Sequence, residues 1–332
     1  MADRIIQTET LTGIANAIRS KTGGSESITV SDMAEAIENI PSGGGGDIDA
    51  LIDGSSSGVI RSNVTSVRDY GFYGCNGITE LYLPNVTEMG EYSLLDGLSS
   101  LEIVEIPNIT EFPDTNSPFS DNENLTTAIF TSLQTLPERY FYGCSNLVNG
   151  NFSSVTSIGD EAFSGCSNLV NGNFSSVTSI GNEAFSGCSN LVNGNFSSVT
   201  DIGFDVFSGC SSIIHIYLPR LLYLNSSITD CENLAIVEFE DITAIPDNSF
   251  SACPSLSTII LRGLEVCSIE RYDNYIFYDT EFGFSGNGGT VYVPQALLSE
   301  YMSDENWAEL LGQNENNQIL PIEGSIYDTS NQ

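Results

Sequence analysis

Eight cysteines and one histidine are the residues of this 332-residue chain best suited to covalent or metal chemistry. Cysteines can pair as disulfides or bind zinc together with histidines. Here the cysteines recur singly, no CxxC pair occurs, and His215 is the only histidine. Seven cysteines share a register with one leucine and one asparagine, 21 to 24 residues apart: Cys75, Leu98, Asn122, Cys144, Cys166, Cys188, Cys210, Cys231 and Cys253.

A register position that also accepts leucine is filled for packing. Cys267, the eighth cysteine, follows Cys253 by fourteen residues, where other repeats carry Ile, Val, Leu or Met. We therefore predict buried free thiols, with a disulfide network and metal sites as the alternatives.

Composition and motifs argue against several classes of function. The chain carries 44 acidic and 9 basic residues, a net charge of −35, which disfavours nucleic acids and anionic membrane surfaces as partners. It has no GxSxG, Walker, HExxH or dinucleotide-binding motif, and no carboxylate pair is picked out by spacing. We predict a protein that is not an enzyme and uses no cofactor or metal, and we expect no signal peptide or transmembrane segment.

The register is accompanied by apolar residues at fixed offsets. Phenylalanine, leucine or isoleucine stands three residues before it, and leucine or isoleucine three residues after it. Apolar and polar residues alternate further on, as in L81-Y82-L83 and I216-Y217-L218, which indicates a short strand with one face inward. A period in the low twenties with locked apolar positions predicts a solenoid whose turns share one core and form a parallel sheet. The segment IGDEAFSGC is predicted to be a short helical or irregular return path.

The pattern C-x-x-L-x-x-I-x-(I/F)-P-x-x-V-x-x-I-x-x-x-(A/S)-F-x-x-C resembles the BspA-like, or treponemal-type, leucine-rich repeat over roughly residues 52 to 262. The ending VYVPQALLSEYMSDENWAELL…ILPIEG resembles the C-terminal cap of such arrays. Three near-identical turns depart from the pattern, because they carry Gly150, Gly172 and Gly194 at an apolar position. We expect phenylalanines two residues later, at Phe152, Phe174 and Phe196, to supply the missing bulk.

These features predict five segments. Residues 1–40 form a small helical module for attachment or oligomerisation, and 41–50 a Gly-rich linker. Residues 51–262 form a solenoid of about ten leucine-rich repeats, 263–324 a C-terminal cap and 325–332 a tail. In the helical module, Leu11, Ile14 and Ile18 follow helical spacing, as do Met33 and Ile37.

The outward strand positions, five and seven residues after the register, are the candidate binding surface. Asparagines and tyrosines there suit sugars or polar peptide loops, because amides donate and accept hydrogen bonds while aromatic rings form a platform. An asparagine ladder that bonds only to itself is the alternative. The candidate residues are Tyr82, Glu105, Asn149, Asn151, Asn171, Asn173, Asn193, Asn195, His215 and Tyr217.

The stretch LTGIANAIRSKTGGSESITVSDMAEAIENI resembles N-terminal modules of tail-associated structural proteins from phages of gut bacteria. This resemblance implies that residues 1–40 attach the chain to other virion proteins or to copies of itself. The leading hypothesis is a phage-tail adhesin that recognises a bacterial surface glycan or protein receptor and resides on the virion. A bacterial cell-surface adhesin of the BspA-like kind is the second hypothesis, and a glycan-active enzyme the third.

Overall fold

The computed structural model describes residues 57–67, 71–72, 75–90, 98–112, 117–246, 248–270 and 288–329. These residues form a parallel β-solenoid of about nine turns, which confirms the predicted fold class. The turns place their longer strands on a first face and two-residue strands on a second face. The helices predicted within residues 1–40 lie outside the described residues.

The first face consists of two parallel ladders. The seven-stranded ladder contains β1 (Ser57–Arg61), β3 (Gly77–Tyr82), β5 (Ile103–Glu105), β6 (Thr127–Ile129), β8 (Asn149–Asn151), β10 (Asn171–Gly172) and β12 (Asn193–Gly194). The five-stranded ladder contains β14 (His215–Tyr217), β15 (Ile236–Phe239), β17 (Thr258–Leu261), β19 (Thr290–Val293) and β20 (Gln318–Pro321). The sheet therefore continues beyond residue 262 into the segment predicted as the cap.

The second face carries shorter strands in three parallel groups. They are β2 (Ser66–Val67) with β4 (Glu88–Met89); β7 (Thr135–Leu136), β9 (Ser157–Ile158), β11 (Ser179–Ile180) and β13 (Asp201–Ile202); and β16 (Ala244–Ile245) with β18 (Ser268–Ile269).

Hydrogen-bonded turns, and no helix, lead from the second face back to the register in the described repeats. Glu161 and Glu183 there have left-handed backbones, with φ of 54° and 52°. Such a conformation costs a non-glycine residue about 1–3 kcal/mol. It is held because the backbone N–H of each residue donates to the next turn, to Asn182 O and Phe204 O respectively, at 2.8 Å.

The cysteine register forms a buried column inside the solenoid. All eight cysteines are buried and unbridged, and Leu98 and Asn122 are buried at the same position. The Sγ of Cys166 donates to Phe141 O of the preceding turn at 3.1 Å, and the thiols of the neighbouring turns repeat this bond. Burial raises the pKa of the Cys144 thiol to about 12. The predicted packing role is confirmed.

The glycine-containing turns are filled by phenylalanine, as predicted. A Cβ on Gly172 would lie 2.1 Å from Cε2 of Phe174, so the ring occupies the space that a side chain at residue 172 would need. Phe174 stacks on Phe152 and Phe196, with ring centroids 6.0 and 5.7 Å apart. The stacked rings form a continuous aromatic column through these turns.

The first and the second face share one interruption, which lies between the turns that begin at Cys188 and Cys210. On the first face β12 does not pair with β14, and on the second face β13 ends its ladder. Ile214 N and Leu222 N, in the turn that begins at Cys210, donate no backbone hydrogen bond to the preceding turn within the described part of the chain. At the position equivalent to Leu222 in the two neighbouring turns, Thr200 N and Thr243 N each donate such a bond. We call this interruption the junction.

The C-terminal end of the core is covered by helices. A 3-10 turn (Gln295–Leu297), α1 (Leu298–Ser303) and α2 (Glu305–Gln313) follow Pro294. Trp307 is fully buried, and its Nε1 donates to Cys267 O at 2.8 Å. No helix among the described residues is long and apolar enough to cross a membrane.

Candidate binding surface

The outward side chains of the first face fall into three zones along the solenoid. The N-terminal zone is charged and occupied by its own contacts. Arg61 lies over the ring of Tyr82, 3.6 Å from the centroid, and pairs with Glu80 at 3.6 Å. The predicted platform Tyr82 is therefore covered by a cation. Glu105 lies half-buried on the next strand, β5.

The C-terminal zone is a network of ion pairs across three turns. Glu238 on β15 receives Arg262 Nε at 2.6 Å and lies 3.3 Å from His215 Nε2. Burial alone would raise the pKa of Glu238, but the hydrogen bonds from His215 and Arg262 outweigh it and lower the pKa. Tyr217 donates its hydroxyl to Glu240 at 2.6 Å. The polar groups of His215 and Tyr217 are thus partly engaged within the protein.

The C-terminal chain covers the last part of the first face. Ile260, expected to point outward, is fully buried. Tyr292, its partner in the ladder, packs against Tyr327 with ring centroids 4.8 Å apart. Arg262 Nη2 also donates to Tyr327 O at 3.0 Å. The strand pattern missed this cover because the chain end that supplies it carries no repeat.

The central zone contains the asparagines and remains open. Asn149 and Asn151 are exposed and make no side-chain hydrogen bond within the described part of the chain. Asn173 and Asn195 are exposed as well. Their Oδ1 atoms accept from Ser175 and Ser197 hydroxyls at 2.9 and 2.7 Å, so the amide nitrogens remain as donors. Asn171 and Asn193 lie in register on β10 and β12, and their side chains are outside the described set.

An aliphatic ridge runs beside the asparagines, one position earlier in each turn. Val148 and Val192 are each 37% exposed and Ile214 is 57% exposed, while Val170 between them is half-buried. Large apolar side chains left in water are informative when they line up on one surface. The central zone thus offers amide donors and a hydrocarbon edge together.

The central zone is also uncharged. The three turns, residues 144 to 209, contain five charged residues, and none of them lies on the first face: Asp160, Glu161, Glu183 and Asp205 belong to the return segments and Asp201 to the second face. Glu161 is paired with Arg139 by bonds of 2.8 to 3.1 Å. In a chain of net charge −35, the first face of these three turns presents a neutral surface.

A family model for the BspA type leucine-rich repeat region matches residues 55–170 and 156–282, in six copies. The chain belongs to this BspA-type leucine-rich repeat family. No curated protein matches it in sequence.

Solved structures of similar fold include the pneumococcal vaccine antigen PcpA, at 14% identity and a TM-score of 0.42, covering 78% of this chain and 71% of that one. The leucine-rich repeat protein of T. pallidum shares 20% identity at a TM-score of 0.39, covering 65% and 82%. A leucine rich cell surface protein from Faecalibacterium prausnitzii shares 17% identity at 0.30, covering 80% and 87%.

The BspA-type turns do contain a self-bonded asparagine ladder, but at a position that the sequence reasoning missed. Asn168 Nδ2 donates to Asn146 Oδ1 at 3.0 Å, and Asn190 Nδ2 donates to Asn168 Oδ1 at 3.1 Å. This column lies two residues after the register. Its signal in the sequence was the CSN that the three copies share.

Exposed apolar side chains also gather at the junction of this BspA-type solenoid. Phe204 is 59% exposed where Asp160 and Asn182 stand in the preceding turns, and Leu222 is 54% exposed where Thr200 stands. Comparison of equivalent positions between turns was the signal that could have found them.

No group of three or more potential metal-ligating side chains occurs among the residues the structure describes. The predicted attachment residues Leu11, Ile14, Ile18, Met33 and Ile37 fall outside the described residues.

Proposed function

We propose that this BspA-type solenoid is a non-enzymatic binding protein that recognises a receptor on a bacterial surface through the central zone of its first face. The observation that supports this most is the contrast within that face. Both ends are occupied by internal ion pairs or by the C-terminal chain, whereas the three central turns leave amide donors and an aliphatic ridge in water. Extended solenoid faces are recognition surfaces in repeat proteins.

We further propose that residues 1–40 attach the solenoid to a phage tail, as their resemblance to tail-associated modules implies. In that case the receptor is on the host bacterium and the protein resides on the virion. The BspA-like adhesin of a bacterial surface is the alternative carrier for the same binding face.

Binding is tested with fluorescently labelled protein on a panel of intact bacterial cells. Asn173→Asp with Asn195→Asp keeps the Oδ1 acceptors for Ser175 and Ser197, removes two amide donors and adds two charges. We expect at least tenfold weaker binding to the cells that the unmodified protein binds, since each lost hydrogen bond contributes about 0.5–1.5 kcal/mol.

The matched control is Ser157→Asp with Ser179→Asp on the second face. The next turn carries Asp201 at this position, and Ser179 Oγ donates to its Oδ2 at 3.4 Å, so the control likewise adds two charges and also removes this one hydrogen bond. Unchanged binding by the Asn173/Asn195 variant, or equal loss in the control, would contradict the proposed face.

The carrier is tested separately by immunogold labelling of phage particles and of cells from the producing culture. Label on phage tails supports the proposal that the protein resides on the virion. Label confined to the cell surface would contradict it and support the bacterial surface adhesin.

A further inference from the structure

We infer that the receptor chemistry of the central zone is an uncharged glycan chain that lies along the solenoid axis across the turns beginning at Cys144, Cys166 and Cys188. This inference rests on the proposed function and specifies its ligand. Its support comes from the charge, the spacing and the chemistry of the three turns, each considered below.

Charge determines the class of ligand first. The central zone is neutral, while the chain as a whole carries −35. A polyanion would be repelled by the surrounding surface, and a polycation would be drawn to the acidic regions instead of the neutral one. A neutral ligand is therefore the one whose binding the central zone favours over the rest of the molecule.

Spacing determines the direction of the ligand. The ladder pairs Asn149 with Asn171 and Asn171 with Asn193, one turn apart. Neighbouring strands of a sheet lie about 4.8 Å apart, so equivalent backbone positions repeat at this interval along the axis. This interval is close to the length of one pyranose unit in an extended polysaccharide, whereas residues of an extended peptide repeat every ~3.3 Å. Successive sugar units can thus meet equivalent side chains on successive turns.

The polar chemistry of each turn fits a sugar unit. The Oδ1 atoms of Asn173 and Asn195 are held by Ser175 and Ser197, which orients the Nδ2 donors outward. Sugar hydroxyl and ring oxygens accept such bonds. Because the carbonyl side of each amide is already fixed, little side-chain freedom remains to be lost when the ligand binds.

The aliphatic ridge supplies the complementary apolar contact. Val148 and Val192 leave hydrocarbon exposed beside the amides of the three turns, and Ile214 adds an exposed side chain on the next turn, beyond the junction. Pyranose rings present C–H groups next to their hydroxyls. The exposed ring of Tyr217 lies at the C-terminal end of this ridge, at 38% exposure, and can stack on a terminal unit.

Affinity electrophoresis of the full chain tests the class of ligand directly. Gels contain an extended, neutral β-1,4-linked polysaccharide (hydroxyethylcellulose, glucomannan or galactomannan), an anionic one (hyaluronan) or the cationic chitosan. We expect retardation by at least one neutral polymer and none by hyaluronan, with less than twofold change in affinity between 50 and 500 mM NaCl because no ion pair forms. Retention only by chitosan, or by none of the neutral polymers, would overturn the inference.

Variants locate the site. Asn173→Asp with Asn195→Asp should weaken binding of the retained polymer at least tenfold, and Ser157→Asp with Ser179→Asp should leave it within twofold. Thermal unfolding by circular dichroism verifies that both variants are folded. Equal binding by all three proteins would place the glycan elsewhere and contradict the inference.

Cell treatment separates this inference from the proposed function. Periodate oxidation of the bacterial cells should abolish binding of the labelled chain, and protease treatment should leave it intact. If protease abolishes binding and periodate does not, while the Asn173/Asn195 variant still fails to bind, the face is a receptor site for a protein and the glycan inference is wrong.

Discussion

The turns from Cys144 to Gly209 and those from Cys210 to Ile269 build one solenoid with two different core fillings. The first set places glycine on the strand and folds a phenylalanine over it, as in Gly172 and Phe174. The second set uses two aliphatic or mixed side chains, as in Ile216 and Leu218, both buried. The outer surfaces differ in parallel, since the first set is neutral on the first face and the second carries the Glu238 ion network.

This difference shows that turns of one repeat type keep the same backbone path even when their core residues differ. The cysteine column passes through both sets, and Cys210 Sγ donates to Phe185 O at 3.2 Å across the junction. The strand ladders do not pass through it. The turns at the junction are therefore connected by the cysteine column, by the return segments and by single bonds such as those from Ser212 N to Ser189 O and from Asn225 Nδ2 to Ile202 O.

The largest expected effect concerns the buried cysteines, which occur in both sets of turns. Burial raises the pKa of Cys144, Cys210 and Cys267 to about 12, and raises those of Cys166 and Cys188 well above the usual range. An unfolded thiol has a pKa of about 8.5. The stabilisation is thus complete below about pH 8.5 and is lost as the pH rises toward 12, by about 1.4 kcal/mol per thiol and pH unit.

We therefore expect alkaline unfolding of the whole solenoid between about pH 9 and 12. Far-UV circular dichroism, which reports all turns, and fluorescence of Trp307, which reports the cap, should change together. Below pH 8.5 the native thiols should react slowly with Ellman's reagent, and all eight should react after denaturation. Separate transitions in the two signals would show that the cap unfolds independently of the turns.

The second-largest expected effect distinguishes the two kinds of core filling, glycine with phenylalanine in the first set and two larger side chains in the second. Phe174→Ala removes a fully buried ring that also covers Gly172, and should cost about 4–5 kcal/mol, near the upper end for such changes. Leu218→Ala at the equivalent position of the next set should cost about 2–3 kcal/mol, since Ile216 keeps its own side chain in the core. Urea unfolding followed by circular dichroism measures both.

A cost for Leu218→Ala equal to that of Phe174→Ala would mean that the glycine-covering role of the phenylalanine adds nothing. The Phe174→Ala variant should refold and unfold in one cooperative transition, with a lower free energy of unfolding. A single transition checks that the variant still forms one solenoid.

Much of this molecule followed from its periodicity. The register placed the cysteine column, the strands and the phenylalanine over Gly172, because each depends on residues within one turn or on its identical neighbour. The periodicity did not predict the structure where neighbouring turns differ in sequence or where a segment without repeats packs on the solenoid. Ile260 is buried under the C-terminal segment, and the ladder stops at the junction although residues on both sides match the repeat. A pattern describes the average turn, and these features depend on how one particular turn meets the next.

The candidate site was predicted only in outline for the same reason. The outward positions were read correctly for Asn151, Asn173 and Tyr217, which are exposed. Whether Tyr82 and His215 are free to bind a ligand could not be predicted, because the guanidinium over Tyr82 and the carboxylate beside His215 come from other turns. The ladder of Asn146, Asn168 and Asn190 likewise required knowledge of which amides meet.

The smallest expected effect tests the cause of the junction. Amides without a backbone hydrogen bond exchange with solvent at low opening free energy. We expect Ile214 and Leu222 to exchange at least tenfold faster than Thr200 and Thr243, whose amides donate to the preceding turn at 2.9 Å. Hydrogen exchange read by NMR or by mass spectrometry of short peptides measures this difference.

Changing the filling of one turn should then move the interruption. Ile216→Gly with Leu218→Phe converts the turn beginning at Cys210 to the glycine and phenylalanine type, so that the change of type falls one turn later. If mismatched fillings cause the break, Ala235, whose amide donates to Ile214 O at 2.9 Å in the present structure, should lose this bond and exchange fast. Slow exchange that persists at Ala235 would assign the break to Leu222 and the second face instead, because those residues are unchanged in the variant.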